Sequence, residues 1–163
     1  PSDPVTGTTL AATAFLTLPT GNYDSAGVSM GSGTYTFTPQ IGFIQGLGSG
    51  FYFDGTFDVA FTRDHDDGGI NFSRDPSYQL QAYLRYQPSQ RTSFSLGYSG
   101  KFGGEVYADD VYTGNKTRVD SVRVFANHFV TPTVQIEAMI SRDVNVEGGP
   151  SNTVTQLRLL KVF

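Results

Sequence analysis

Charged and polar side chains recur at alternate positions within segments that are otherwise apolar. They are a mixed set of acids, arginines, amides and one tyrosine: Asp54, Asp58, Gln81, Tyr83, Arg85, Arg123, Glu137, Gln156 and Arg158. Alternate residues of a β-strand share a face, so we expect this set to project from one face of a sheet. It could select solutes along a pore, or form a structural network of ion pairs. A symmetric last hairpin would place Glu137 opposite Arg158.

Four apolar or aromatic residues fall on the same nominal face: Phe15, Tyr52, Phe125 and Met139. They could pack against each other or against a plug segment. Alternatively, they could line a path for an apolar solute, which a pore for ions or sugars would not need. Both interpretations stay open from the sequence.

Neither catalysis nor metal binding is predicted. Asp64, Asp66 and Asp67 cluster around His65, but their spacing does not match an EF-hand, so a solvated loop tip is expected. His128 and Ser121 fall on opposite faces of one strand, and no acid is placed to orient the imidazole. The chain has no cysteine and therefore no thiolate site. We expect no enzyme activity, cofactor or metal.

The segments that must position these residues alternate with a period of two. In residues 78–87, Tyr78, Leu80, Ala82, Leu84 and Tyr86 share one face, and polar residues share the other. The two tyrosines are spaced to lie about 19 Å apart along a membrane normal. About eight such strands are counted, joined alternately by short turns and by long polar loops at 20–33, 63–75, 103–117 and 143–152. This pattern predicts one domain, residues 1–163, forming an antiparallel transmembrane β-barrel with its short turns in the periplasm.

The composition agrees with this prediction. Charged residues make up 16% of the chain and aromatic residues 13%, whereas soluble domains carry about 25% charge. The sequence has no apolar run of the length that a membrane-spanning helix needs. The net charge of −4 argues against a nucleic-acid partner.

Residues 14–24, A-F-L-T-L-P-T-G-N-Y-D, resemble a motif of one family of bacterial outer-membrane channels, described as "MetA-pathway of phenol degradation". Thr17 and Asn22 replace a basic residue and an aspartate of the usual motif. The resemblance implies uptake of small hydrophobic molecules by a barrel of about twelve strands. Against that length, this chain looks like the C-terminal two-thirds.

The last predicted strand, residues 152–163, ends on Phe163 after apolar residues at alternate positions. This ending resembles the signal that the outer-membrane assembly machinery reads. The predicted location is therefore the bacterial outer membrane, where the chain would contact membrane lipid and lipopolysaccharide. The protein is expected to be a monomer.

Three functions compete. The first is a channel for passive uptake of small, mainly hydrophobic molecules. The alternative is a structural or adhesive eight-stranded barrel that does not conduct, since so small a barrel is filled by its own side chains. A soluble lipocalin-like barrel is the third, and it would need the apolar faces to point inward.

Overall fold

The computed structural model describes residues 6–20, 33–147 and 149–161. They form an all-β structure. The bounds of the strands are β1 Thr8–Thr17, β2 Thr36–Gly48, β3 Phe51–Thr62, β4 His65–Asp67, β5 Ile70–Arg74, β6 Ser77–Ser89, β7 Thr92–Gly103, β8 Val106–Ala108, β9 Val111–Tyr112, β10 Thr117–Thr131, β11 Val134–Glu147 and β12 Thr153–Lys161. None of the described residues belongs to a helix that is long and apolar enough to cross a membrane.

Eight long strands form one antiparallel sheet in the order β1-β2-β3-β6-β7-β10-β11-β12. Each strand pairs with its neighbour among the long strands along the chain, as the alternation of short turns and long loops predicts. Strands β1 and β12 are the two edges of this sheet, and all but one of their residues are exposed. The described residues therefore form an open sheet, and closure into a barrel stays a prediction.

Two of the predicted polar loops, 63–75 and 103–117, contain short strands instead. Strands β4, β5, β8 and β9 form a second, four-stranded sheet at the end of the long strands where the long loops lie. Their hairpin turns have positive φ at both central residues, Gly68 and Gly69 in one turn and Asp109 and Asp110 in the other. Glycine and aspartate tolerate that conformation, so tight hairpins form where polarity alone suggested irregular loops.

The two faces of the main sheet differ sharply. Among the described residues, no hydrophobic side chain is buried, and large apolar side chains such as Leu10, Leu157 and Leu159 are 72–79% exposed. Polar side chains are buried on the opposite, polar face, including Ser99 at 2% exposure and Asp58 at 8%. A water-soluble sheet would bury its apolar face, so this distribution indicates that the apolar face lies against lipid.

Aromatic rings mark both ends of the apolar face on β6. At one end, Tyr78 stacks on Phe102 with ring centroids 5.4 Å apart. At the other end, Tyr86 stacks on Phe51 at 4.7 Å. Amphipathic rings at two levels are typical of strands that cross from one membrane interface to the other. Two predicted features, the terminal Phe163 and most of the loop at 20–33, lie outside the described residues.

Candidate lumen-facing site

The side chains predicted to line the interior share the polar face, and most of them occupy two adjacent rows of paired residues. One row runs through Tyr52, Arg85, Ser95, Phe125, Met139 and Gln156. The next row runs through Asp54, Tyr83, Gly97, Arg123, Ser141 and Val154. Gln81 lies in the following row, beside Ser99.

Arg85 is the centre of a cluster on two strands, β3 and β6. Its guanidinium donates two hydrogen bonds to Asp54, from Nε to Oδ2 at 2.7 Å and from Nη2 to Oδ1 at 3.0 Å. Nη1 donates to Gln87 at 3.1 Å, and the guanidinium carbon lies 4.4 Å from the ring centroid of Tyr52. A bidentate ion pair with a cation–π contact neutralises both charges within the sheet face.

Arg123 belongs to a second cluster, with Gln81 and Tyr83 on β6. Its Nη1 lies 3.3 Å from Gln81 Oε1 and 3.4 Å from the Tyr83 hydroxyl oxygen. The Tyr83 hydroxyl donates to the same Gln81 oxygen at 2.9 Å, and the Tyr83 ring meets Phe125 edge-on at 5.6 Å. These contacts cross β7 at Gly97, where a Cβ would lie 2.4 Å from Tyr83 Cδ1. Because Gly97 has no side chain, side chains of β6 and β10 can contact each other across β7.

The remaining predicted charges lie in separate pairs. Glu137 is opposite Arg158, as a symmetric hairpin predicts, with Oε1 and Nη1 3.6 Å apart. Asp58 accepts a hydrogen bond from Gln40 at 3.2 Å on the β2–β3 ladder. Arg123 does not join Glu137; it reaches across β7 towards β6 instead.

The apolar set is not brought together as one path. Phe125 and Met139 are cross-strand neighbours. Tyr52 contacts the Arg85 guanidinium, so its ring takes part in the ion-pair cluster. Phe15 lies on the edge strand β1 opposite Thr38, with 52% of its surface exposed.

One polar cluster escaped the sequence prediction because it lies on the apolar face. Asp120, 7% exposed, accepts hydrogen bonds from the Tyr98 hydroxyl, from Asn145 Nδ2 at 2.9 Å and from Arg118 Nε at 3.2 Å. Gly100 makes room for the Tyr98 ring, since a Cβ there would lie 2.3 Å from the hydroxyl oxygen. Extending the alternation of β10 two residues towards its start would have put Asp120 on this face.

The acidic loop residues are held within the second sheet. Asn71 donates to Asp66 at 3.1 Å, and its backbone N–H donates to Asp109 at 2.9 Å. Among the residues that the structure describes, no group of three or more His, Asp or Glu is arranged to hold a metal. His128 Nδ1 pairs with the Thr92 hydroxyl at 2.9 Å on the opposite face from Ser121, as the alternation predicts.

Neighbouring charges also raise the pKa values of two groups at the loop end of the sheet, Tyr107 and Lys116. The carboxylate of Asp75 raises the pKa of the Tyr107 phenol, because it disfavours a second negative charge 3.3 Å away. The hydrogen bond from Lys116 to Glu147, 2.6 Å long, raises the pKa of the Lys116 ammonium. Lys116 is exposed and Tyr107 is half-buried, and both groups make local structural contacts.

Comparison with known proteins agrees with this architecture. The structure is similar to that of the COG4313 outer membrane channel from Pseudomonas putida F1, with a TM-score of 0.89 and 31% sequence identity. The match covers 96% of this chain and 61% of that channel, so the chain spans about three-fifths of the channel's length. No curated protein matches the sequence.

The family comparison covers nearly the whole chain. The sequence model of one family, described as "Putative MetA-pathway of phenol degradation", matches residues 3–159. This match confirms the resemblance seen in residues 14–24. Together with the structural likeness, it locates the protein in the bacterial outer membrane. The chain belongs to the family of the "Putative MetA-pathway of phenol degradation".

Proposed function

We propose that this chain forms most of the wall of an outer-membrane channel through which small, mainly hydrophobic molecules enter by passive diffusion. The observation that carries the proposal is the distribution of the two faces: the apolar face is exposed, whereas Asp58, Ser99, Ser121 and Ser141 are buried on the polar face. A wall between lipid and an aqueous lumen has this distribution. The similarity to an outer membrane channel from Pseudomonas putida F1 supports the channel part of the proposal.

The charges of the polar face favour apolar solutes over ions. Arg85 is neutralised by Asp54, and Arg158 lies beside Glu137. Ion selectivity is usually built from rings of like charge, whereas paired charges produce little net field. Phe125, Met139 and Tyr83 add apolar surface to the same face.

The open edges favour a larger barrel over the non-conducting eight-stranded alternative. In the described residues, β1 and β12 do not pair, and both are exposed along nearly their whole length. Further strands between them would widen the lumen beyond the space that side chains fill. Membrane lipid and lipopolysaccharide are the expected surroundings of the apolar face.

Uptake by whole cells tests the proposal. Pure phospholipid vesicles are unsuitable because apolar solutes cross them unaided, whereas a lipopolysaccharide leaflet retards such solutes. Cells with an intact outer membrane that express the complete protein should take up the fluorescent apolar probe N-phenyl-1-naphthylamine faster than cells with an empty vector. Equal rates, with folded protein shown by heat-modifiable gel migration, would overturn the proposal.

A further inference from the structure

Arg123 differs from the other arginines of the polar face in the chemistry of its partners. Arg85 and Arg158 each lie within ion-pair distance of a carboxylate. The hydrogen-bond partners of Arg123 are the neutral groups of Gln81 and Tyr83, at 3.3 and 3.4 Å. In the described part of the chain, no carboxylate lies within 4.0 Å of its guanidinium.

The guanidinium also keeps N–H groups that the protein does not satisfy. Both contacts use Nη1, and Nε is buried without an acceptor among the described residues. The half-buried side chain carries a permanent positive charge. Nη2 also has no acceptor among the described residues, so it can donate to an added acceptor.

One acid of this face that interacts with Arg123, Asp143, is already bound elsewhere. Asp143 attracts Arg123 through space, but its Oδ1 accepts from the Ser121 hydroxyl at 2.7 Å. Its Oδ2 accepts from the backbone N–H of Asn152 at 2.9 Å. The local acid is thus engaged by other donors, and the charge of Arg123 is available to a solute.

Aromatic side chains lie next to Arg123 on this face. Tyr83 bonds Arg123 through its hydroxyl and meets Phe125 edge-on, with centroids 5.6 Å apart. Phe125 is two residues from Arg123 on the same face of β10, and Met139 is its cross-strand neighbour. An aromatic ring can pack against such a surface by stacking or edge contacts.

We propose that Arg123, Tyr83 and Phe125 form a binding site for one-ring aromatic anions, such as carboxylates or sulfonates, on the path through the channel. The guanidinium donates hydrogen bonds to the anionic group, and the solute ring packs against Phe125 and Tyr83. This inference rests on the proposed function and adds a class of amphipathic solute to it. The site selects by charge at one point of a face whose other arginines are neutralised.

The test compares benzenesulfonate with benzenesulfonamide, its uncharged analogue. Benzenesulfonate stays ionised, so it does not leak through lipid as a neutral acid. The complete protein is reconstituted in liposomes, and the entry of each solute beyond its entry into protein-free liposomes is measured against concentration at neutral pH. We expect saturable entry of benzenesulfonate, and Arg123→Gln should raise its half-saturation concentration about 10- to 100-fold, the loss expected for a hydrogen bond to a charged group.

Three variants separate binding from folding. Arg142→Gln removes an arginine from the apolar face of β11 and should leave benzenesulfonate entry unchanged. Arg123→Lys keeps the charge and should restore part of the affinity. Tyr83→Phe keeps the ring but loses the hydroxyl that orients Arg123, and should weaken binding of the anion more than entry of the sulfonamide.

The outcomes also distinguish this inference from the proposed function. Unchanged half-saturation in folded Arg123→Gln protein, or an equal loss for both solutes, overturns the binding site while leaving apolar uptake intact. Failure of N-phenyl-1-naphthylamine uptake in cells, with Arg123-dependent binding of benzenesulfonate retained, overturns the proposed function and leaves the site.

Discussion

The Tyr83 hydroxyl and the Arg123 guanidinium meet at 3.4 Å although strand β7 lies between the strands that carry them. The contact exists because the residue between them in the row is Gly97. A Cβ at that position would lie 2.1 Å from the Ala82 carbonyl oxygen and 2.4 Å from Tyr83 Cδ1. Gly97 therefore permits a side-chain contact between β6 and β10, which are not paired with each other.

Gly97→Ala should destabilise the protein because two of the colliding atoms, Ala82 O and Tyr83 Cα, belong to the backbone and cannot rotate away. We expect the free energy of unfolding to fall by about 1–3 kcal/mol or more. Urea unfolding of the complete protein in detergent micelles measures it. Gly42→Ala is the matched control, since its Cβ would lie 3.3 Å from the Thr56 methyl carbon and 3.6 Å from the Gly55 carbonyl oxygen. If both variants lower the free energy of unfolding equally, the close approach of β6 side chains to Gly97 is contradicted.

Asp54 and Arg85 should be energetically coupled. Asp54→Asn leaves the guanidinium without its charged acceptor and should cost about 1–3 kcal/mol of unfolding free energy. The double variant with Arg85→Gln should lose less than the two single losses together, because neither charge is then left alone. The Glu137–Arg158 pair, at 3.6 Å with Arg158 about half exposed, should show weaker coupling in the same cycle. Strict additivity at Asp54 and Arg85 would argue against the bidentate pair.

Tyr98→Phe should destabilise the protein, because it removes a hydrogen bond that Asp120 accepts on the apolar face. The phenol hydroxyl donates to this buried carboxylate, and its loss should lower the free energy of unfolding by about 1.5–3 kcal/mol. Tyr86→Phe is the control, because Tyr86 makes a ring contact with Phe51 that phenylalanine can keep. If both substitutions have the same small effect, Tyr98 does not support Asp120.

Glu147→Gln should lower the pKa of Lys116, since the hydrogen bond to Glu147 is the main cause of its rise. A raised pKa means that the charged lysine stabilises the folded state at every pH below the ordinary pKa of lysine. This contribution disappears as the pH rises through the raised pKa. The pair is exposed, so overall stability should change little. Carbon NMR of reductively methylated lysines measures the pKa. Asp75→Asn, which removes the neighbour of Tyr107, should leave Lys116 unchanged.

The sequence alone predicted much of the architecture. Period-two alternation identified the eight long strands and their order, because a residue's face in a strand follows from its parity. The pairing of Glu137 with Arg158 followed from hairpin symmetry, a local property of two strands joined by a short loop. The motif in residues 14–24 identified the family, as the match to residues 3–159 confirms.

Tertiary structure decided which residues on the polar face meet. Arg123 contacts β6 because Gly97 leaves space across β7. Tyr52 packs on the guanidinium of Arg85, its direct partner on the adjacent strand. The short strands in two loops form local hairpins, and the two hairpins are joined by the pairing of β5 with β8, between residues 32 to 36 apart in the chain, which period-two alternation does not encode. Alternation determines the face of each residue; register and the sizes of the intervening side chains determine its partners.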